Sequence, residues 1–357
     1  MTSPLLHALL GVRVANLAEP DERARIADFV RSHPDATPFH LPEWSIAVAR
    51  GCGQRAHMLV TEGADGSLAG VLPLTETRSP LFGRALVSAG FGVGGGILAQ
   101  SEGAISSLSS AAWDLAGKLR CPTLELRGGP VAGNAWIADD TTYLGFTRPL
   151  AVDDEAELAA IPRKQRAEVR KALASDLDLT IGNGPEDARA HYRVYAESVR
   201  NLGTPVFPRG LFRAVLETFG NDADILTILS DGQPVASVLS LYFNDTVFPY
   251  WGGGTHAARA LRANDAMYFS LMAHARARGC KRFDFGRSKA GTGAAAFKKN
   301  WGFEPEPLVY YRRAAAGGAP RDINPLNPRY RLKVEAWKRL PLWAANRVGP
   351  MISKGLG

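Results

Sequence analysis

The densest run of reactive side chains is Phe283-Asp284-Phe285-Gly286-Arg287-Ser288-Lys289-Ala290-Gly291-Thr292-Gly293. The pattern predicts a strand that delivers Asp284 at its end and a glycine-flexed loop that presents Arg287, Ser288 and Lys289. Glycine lets backbone amides approach an anion, and the cations complete a seat for a phosphate or carboxylate. The Gly-Lys-Ser/Thr order of a Walker A loop is absent. A solvated turn with a structural Asp–Arg pair is the plainer alternative. Just downstream stand Lys298 and Lys299, followed by Trp301. Adjacent helical residues point about 100° apart, so at most one of these lysines faces a cleft. An ammonium beside developing negative charge stabilises an oxyanion, or holds an anionic donor, without moving protons.

Two further runs carry positive charge. Trp251-Gly252-Gly253-Gly254 leads to Arg259 and Arg262, ahead of a helix expected to be capped by Asn264. Backbone amides and a helix N-terminus at such a place can receive a pyrophosphate. The Arg/Gln-x-x-Gly-x-Gly/Ala order of acetyl-CoA enzymes is missing, and Arg259 and Arg262 would have to supply charge instead. His256 is a candidate base, although a lone exposed histidine is more often incidental. The segment 163–171 holds five cations and one acid, with Arg163, Arg166 and Arg170 on one helical face. That face suits the phosphates of a nucleotide-linked substrate or of tRNA; a solvated surface is the alternative.

The elements that must position these residues read as two successive units. Periodicity predicts helices at 20–33, from 42 and at 106–119, and strands at 57–61, 68–74, 84–88, 123–127 and 143–150. A second series follows, with helices at 163–171, 186–200 and 209–219 and strands at 177–181, 223–229, 234–243 and 246–251. It ends with a helix 264–278, a strand 282–285, a short helix 294–300 and a strand 308–311. Asp231-Gly232 and Asn244-Asp245 fit tight hairpin turns. Both halves share one order of elements, which suggests an internal duplication. An antiparallel meander, a crossover helix and a further strand predict an α+β fold, and two tandem N-acyltransferase (GNAT) domains with mixed central sheets fit best. The expected ranges are 1–150, 151–323 with the transfer site, and a basic aromatic tail 324–357.

Composition narrows the possibilities. The chain has 357 residues, 46% hydrophobic and 22% charged, which excludes wholesale disorder. No run is long enough to span a membrane, and the start lacks the basic segment of a secretory signal. Cys52, Cys121 and Cys280 are too scattered for a disulfide framework or a zinc site, as befits a reducing cytoplasm. The seven histidines are scattered too, so no metal is expected. The formal charge of +7 divides into −2 over 1–150, +3 over 151–323 and +6 over 324–357. A near-neutral body disfavours duplex DNA as a partner. The tail mixes cations with Trp337, Leu340, Leu342 and Trp343, which suits an anionic membrane surface. Pro341 and Pro350 prevent one long helix there, and packing on the body is the alternative.

The runs 201–208, Tyr250-Trp251-Gly252-Gly253-Gly254, Ala263-Asn264-Asp265, 283–293 and 297–307 together resemble the FemAB-like family, and more narrowly its branch associated with exosortase/PEP-CTERM systems in exopolysaccharide-producing bacteria. The resemblance covers nearly the whole chain and is densest across 160–350. It implies two tandem GNAT-like domains with a substrate cleft between them. FemABX members transfer an amino acid from aminoacyl-tRNA to the peptide stem of a cell-wall precursor, and BioF2-like relatives are thought to use acyl-CoA. Carried over, the acyl-transfer centre falls on Lys298 or Lys299, with Lys298 preferred; from the residues themselves, Asp284 or the acceptor's own surroundings would take up the ammonium proton. Arg163, Arg166, Tyr250, Gly252, Gly253, Arg259, Arg262, Asn264, Arg287, Ser288 and Trp301 become donor- or substrate-binding candidates. The long coiled-coil arm that some members use for tRNA is missing.

The expected activity is therefore acyl or aminoacyl transfer to an amine of a cell-envelope precursor, whose lipid-linked forms are among the candidates. Acyl-CoA or aminoacyl-tRNA would be the co-substrate, with no tightly bound cofactor. The place would be the cytoplasm or the inner face of its membrane. A non-catalytic protein that binds an envelope precursor or an export partner on a degenerate acyltransferase fold is the competing expectation.

Overall fold

The computed structural model describes residues 11–80, 82–315 and 328–355. The apolar run 5–10 and the tail segment 324–327 lie outside them. The chain divides into two compact units. The first takes Met1–Asp140, Val309–Ile323 and Lys354–Gly357; the second takes Thr141–Leu308 and Asn324–Ser353.

Local chemistry explains the elements. Helix Pro20–Ser32 opens with proline at its first turn and Asp21 and Glu22 beside the N-terminal dipole, and closes near Arg31. Ser101 caps helix Glu102–Lys118 by accepting from the Ala104 amide at 3.2 Å. Asp187 reaches back to the Gly184 amide at 3.0 Å and fixes the start of helix Pro185–Asn201. Asp231 and Gly232 have φ of 50° and 69°, and Asn244 and Asp245 have 43° and 59°. Positive φ at both central positions makes both connections the expected hairpins.

The two units repeat one sheet topology. In the first, Val12–Val14, Arg55–Glu62, Leu68–Ser79 and Gly83–Ser88 form an antiparallel series. Strand Thr123–Arg127 then pairs parallel with Gly83–Ser88, and Pro305–Ala314 pairs antiparallel beyond it. In the second, Asp178–Gly182, Ala223–Ser230, Gln233–Phe243 and Thr246–Gly254 form the antiparallel series. Strand Arg282–Asp284 pairs parallel with Thr246–Gly254, and Ile137–Pro149 pairs antiparallel beyond it. The duplication expected from element order is thus present in strand pairing.

The boundaries differ from the expected ones. Residues 141–149 complete the second sheet, and 309–314 return to complete the first. Sequence periodicity identifies these strands but carries no record of their partners. The tail also differs. Helices Pro328–Lys338 and Leu342–Ser353 belong to the second unit, with Pro350 inside the latter. Arg200 Nη1 donates to the Lys338 carbonyl at 3.1 Å, and Ser353 Oγ to the Val206 carbonyl at 2.9 Å.

One core joins Leu59, Leu72, Leu86, Leu108 and Leu126 in the first unit, and another joins Phe146, Met267, Phe283, Trp301 and Phe303 in the second. Glu157 is fully buried beside the second core, where its carboxylate accepts from Arg148, from the Ala151 amide at 2.9 Å and from Arg276 at 3.3 Å. Removing a buried charge partner leaves the others uncompensated. Glu157→Leu is expected to lower unfolding free energy by about 3–5 kcal/mol, measured by urea denaturation. A Cβ at Gly253 would lie 2.7 Å from Ser198 Cβ. Gly253→Ala should therefore cost about 1–3 kcal/mol and lower the melting temperature in the same experiment.

Candidate active site

The loop after strand Arg282–Asp284 is shaped by its first carboxylate. Asp284 Oδ1 accepts from the Gly286 amide at 2.8 Å, and Gly286 has φ 68°, a left-handed conformation that glycine supplies without strain. Helix Gly293–Asn300 follows, capped by Thr292 Oγ1 accepting from the Ala295 amide at 3.4 Å. Ala295 and Lys298, three residues apart, form its buried side. Lys299 is exposed, so the adjacent lysines divide as the helical angle requires.

Lys298 is 9% exposed. Its Nζ donates to the Gly286 and Arg287 carbonyls, both at 3.0 Å. The Phe146 and Phe285 rings lie 5.2 and 5.4 Å from it. Burial pushes its pKa down to about 7 against the opposing charge of Asp284, and Arg287 adds to the depression. Burial likewise raises the Asp284 carboxyl, opposed by the Gly286 amide, Lys298, Arg282 and Thr147. An ammonium has three N–H donors, and two are directed at carbonyls. The remaining one suits an incoming oxyanion.

Strand Thr246–Gly254 supplies the adjoining wall. Its parallel pairing with Arg282–Asp284 is limited to Thr246–Arg282 and Val247–Phe283, and the two strands then part. On its other side, Leu239 pairs with Trp251 but Ser240 with Pro249, so Tyr250 is the extra residue of a β-bulge. Bulges re-aim backbone groups, and this one lies past the point of parting.

Several expected binding residues have other positions. Gly252 and Gly253 are not loop residues; they pair with Val238 and Ser237 within the sheet. Their lack of a side chain admits Tyr268 Oη, which would lie 2.8 Å from a Cβ on Gly252, and Ser198, which would meet one on Gly253. Asn264 does not cap helix Ala263–Ala277: Arg262, in a left-handed conformation, occupies that position. Arg262 Nε instead binds Glu168 Oε2 at 2.5 Å. Arg166 donates to the carbonyls of Ala159 and Ile161 at 2.6 and 2.9 Å, closing the preceding helix rather than facing a ligand. Trp301 is fully buried in the core. Arg163, Arg259 and His256 are exposed. Arg287 lies 4.7 Å over the Tyr143 ring, and Ser288 is buried with its hydroxyl unpartnered among the described residues.

The expected pyrophosphate seat is largely filled. The Thr255 amide donates to Val235 and the His256 amide to the Glu197 carboxylate, both at 2.8 Å. The amides of Ala258 and Arg259 are engaged by Thr255 and His256. A carboxylate occupies the place where a pyrophosphate would need donors, so this loop does not fit the pyrophosphate of CoA. Thr255 Oγ1 and Asn264 Oδ1 nevertheless are buried, without a partner among the described residues, at the same end of the strand. Thr255, Glu197, Ser198 and Tyr268 were not singled out from sequence. The triple glycine was the available signal, since it demands either a ligand or a close neighbour.

The family model for an acetyltransferase (GNAT) domain matches residues 163–299. Among curated proteins, none matches the chain in sequence. The crystal structure of FemX is similar at a TM-score of 0.66 and 14% identity, over 85% of this chain and 97% of that one. A tandem GNAT protein from the clavulanic acid biosynthesis pathway gives 0.56 and 13%, over 87% and 100%. The C-terminal domain of a proposed lysylphosphatidylglycerol synthetase from Agrobacterium fabrum gives 0.56 and 13%, over 84% and 94%. Sheet pairing and these similarities agree: the chain has the tandem GNAT fold, with an acetyltransferase-type (GNAT) domain in its second unit.

Proposed function

We propose that the protein is an acyltransferase that moves an aminoacyl or acyl group onto an amine of a cell-envelope precursor. The observation that carries this reading is Lys298, a buried amine with lowered basicity, held by two carbonyls next to a carboxylate. The acceptor amine attacks the donor carbonyl, forming the C–N bond. The carbonyl oxygen takes up negative charge and receives the third N–H of protonated Lys298. Asp284, its carboxyl raised by burial, takes the proton released from the attacking nitrogen. The tetrahedral adduct then collapses with cleavage of the donor's C–O or C–S bond, and the proton held by Asp284 passes to the departing alkoxide or thiolate.

The filled loop at Thr255–Arg259 supports an ester donor such as aminoacyl-tRNA over acyl-CoA. One structural neighbour is by name a lysylphosphatidylglycerol synthetase, which is consistent with aminoacyl transfer at an envelope. Membership of the exosortase-associated branch and a place in the cytoplasm belong to this proposal and rest on the sequence resemblance. No described helix is long and apolar enough to cross a membrane. The second reading, precursor binding without transfer, is favoured by the carboxylate in the donor loop.

Incubating the protein with labelled aminoacyl-tRNA or acyl-CoA and cell extract distinguishes the readings. Label should pass to an envelope precursor. Lys298→Ala should lower the rate by about 100-fold or more, the scale of losing one oxyanion donor, whereas Lys299→Ala should remain near wild type. Label transfer by Lys298→Ala at the wild-type rate would remove the lysine from the mechanism.

Protonated Lys298 is the active form, so the rate should fall as pH rises through about 7. Lys298→Arg should be slower but lack that alkaline decline, because guanidinium stays charged.

Stability provides a readout independent of substrate. Because the pKa is lower in the folded chain, the unfolded chain binds more protons above pH 7. Stability contributed at this position should rise with pH from about 7 toward the ordinary lysine value, by up to about 1.4 kcal/mol per pH unit. Lys298→Met should lack that rise in denaturation measured across the same range.

A further inference from the structure

Two helices of the second unit repeat arginine at a spacing of four: Arg189 and Arg193 on Pro185–Asn201, Arg209 and Arg213 on Arg209–Phe219. That spacing puts each pair on one helical row. Both rows line a cavity of about 1000 Å³, closed on another side by Leu342 and Asn346 of helix Leu342–Ser353. The cavity lies wholly within the second unit and does not include Lys298.

Its charges are only partly neutralised. Glu186 pairs with Arg189, and Glu217 lies 3.5 Å from Arg213. Arg193 meets a neutral partner, Gln233 Oε1, at 3.5 Å. Arg209 lies 4.7 Å over the ring of buried Tyr192. Asn346 Oδ1 is buried and has no partner among the described residues. Excess guanidinium in a partly apolar cavity suits a phosphate with an apolar body, since the guanidinium fork binds phosphate oxygens in pairs.

The helix that closes the cavity shows where that ligand comes from. Its inner face, Ala345, Gly349 and Ser353, is buried. Its outer face holds Trp343 at 74% exposure, Met351 at 74% and Val348 at 42%, together with exposed Arg347. Large apolar side chains projecting beside a cationic mouth are the arrangement of an interfacial helix. We infer that this face binds an anionic phospholipid surface, with a lipid phosphate between the two arginine rows and Trp343 and Met351 in the interfacial layer. The inference stands apart from the acyl-transfer reading, because it uses neither Lys298 nor the donor loop.

The test is co-sedimentation of the full chain with vesicles of phosphatidylcholine alone, or of phosphatidylcholine with phosphatidylglycerol. Wild type is compared with Arg193→Gln/Arg209→Gln and with Trp343→Ser/Met351→Ser, all checked for native circular dichroism. Binding should require phosphatidylglycerol and weaken as salt rises. The double arginine variant should bind roughly 30-fold more weakly, from about a fivefold loss per cation near an anionic surface. The Trp343/Met351 variant should also lose affinity, and Arg193→Lys, which keeps the charge, should retain most of it. If the double arginine variant fails to fold, Arg193→Glu takes its place. Equal binding to neutral vesicles, unchanged binding in the variant that removes the arginine charge, or no vesicle binding would overturn the inference. Stabilisation by inorganic phosphate without vesicle binding would assign the cavity to a free anion and overturn it too.

Discussion

The second unit is organised around the parting of two parallel strands. Strands Thr246–Gly254 and Arg282–Asp284 pair at two positions and then diverge. Backbone donors and acceptors beyond that point need other partners, because an unpaired polar group in a protein interior costs free energy. The local structure provides several. Phe285 donates to the Phe146 carbonyl at 2.7 Å, while the carbonyls of Gly286 and Arg287 accept from Lys298. The ammonium therefore has a structural reason to be where it is, as well as a chemical one. Its burial stores the free energy that lowers its basicity, and the carbonyls keep that burial tolerable.

The same parting orders the other side of the opening. Three glycines let Ser198, Tyr268 and Asn264 approach the strand more closely than any larger residue would allow. The wall of the opening is thus made of side chains from neighbouring helices rather than from the strand itself. Glu197, one residue from Ser198 on the same helix, engages the loop amide of His256. The close approach of Ser198 to Gly253 and the filled anion seat have one origin, the proximity of helix Pro185–Asn201 to the strand end, while Tyr268 and Asn264 come from helix Ala263–Ala277. The strand end that the sequence suggested would offer amides to a donor presents a carboxylate here.

Much of the element order was legible because it depends on local chemistry. Asp231-Gly232 and Asn244-Asp245 determine their turns from within two residues, and the basic helix, the meander and the lysine helix follow from periodicity. The angular argument limited the buried lysines to one, and the structure selects Lys298. What was not legible depends on distant partners. Arg166 and Arg262 look like free cations in sequence, yet their roles are set by carbonyls and by Glu168. Gly252 and Gly253 satisfy equally the description of an anion cradle and of a crowded strand. Trp301 belongs to the core because Tyr268 and Phe297 surround it.

The exchange of closing strands bears on how the protein is made. Residues 141–149 leave the first unit to finish the second sheet, whereas 309–314 return to finish the first. During synthesis the first unit emerges with strand Thr123–Arg127 exposed along one edge, and its natural neighbour is still more than 180 residues away. Unpaired edges invite pairing with other chains. Until residues 309–314 are made, the first sheet keeps that edge open. The closing strand of the first sheet is thus made only after the strands of the second, so the duplicated plan is not two successive self-contained stretches of chain.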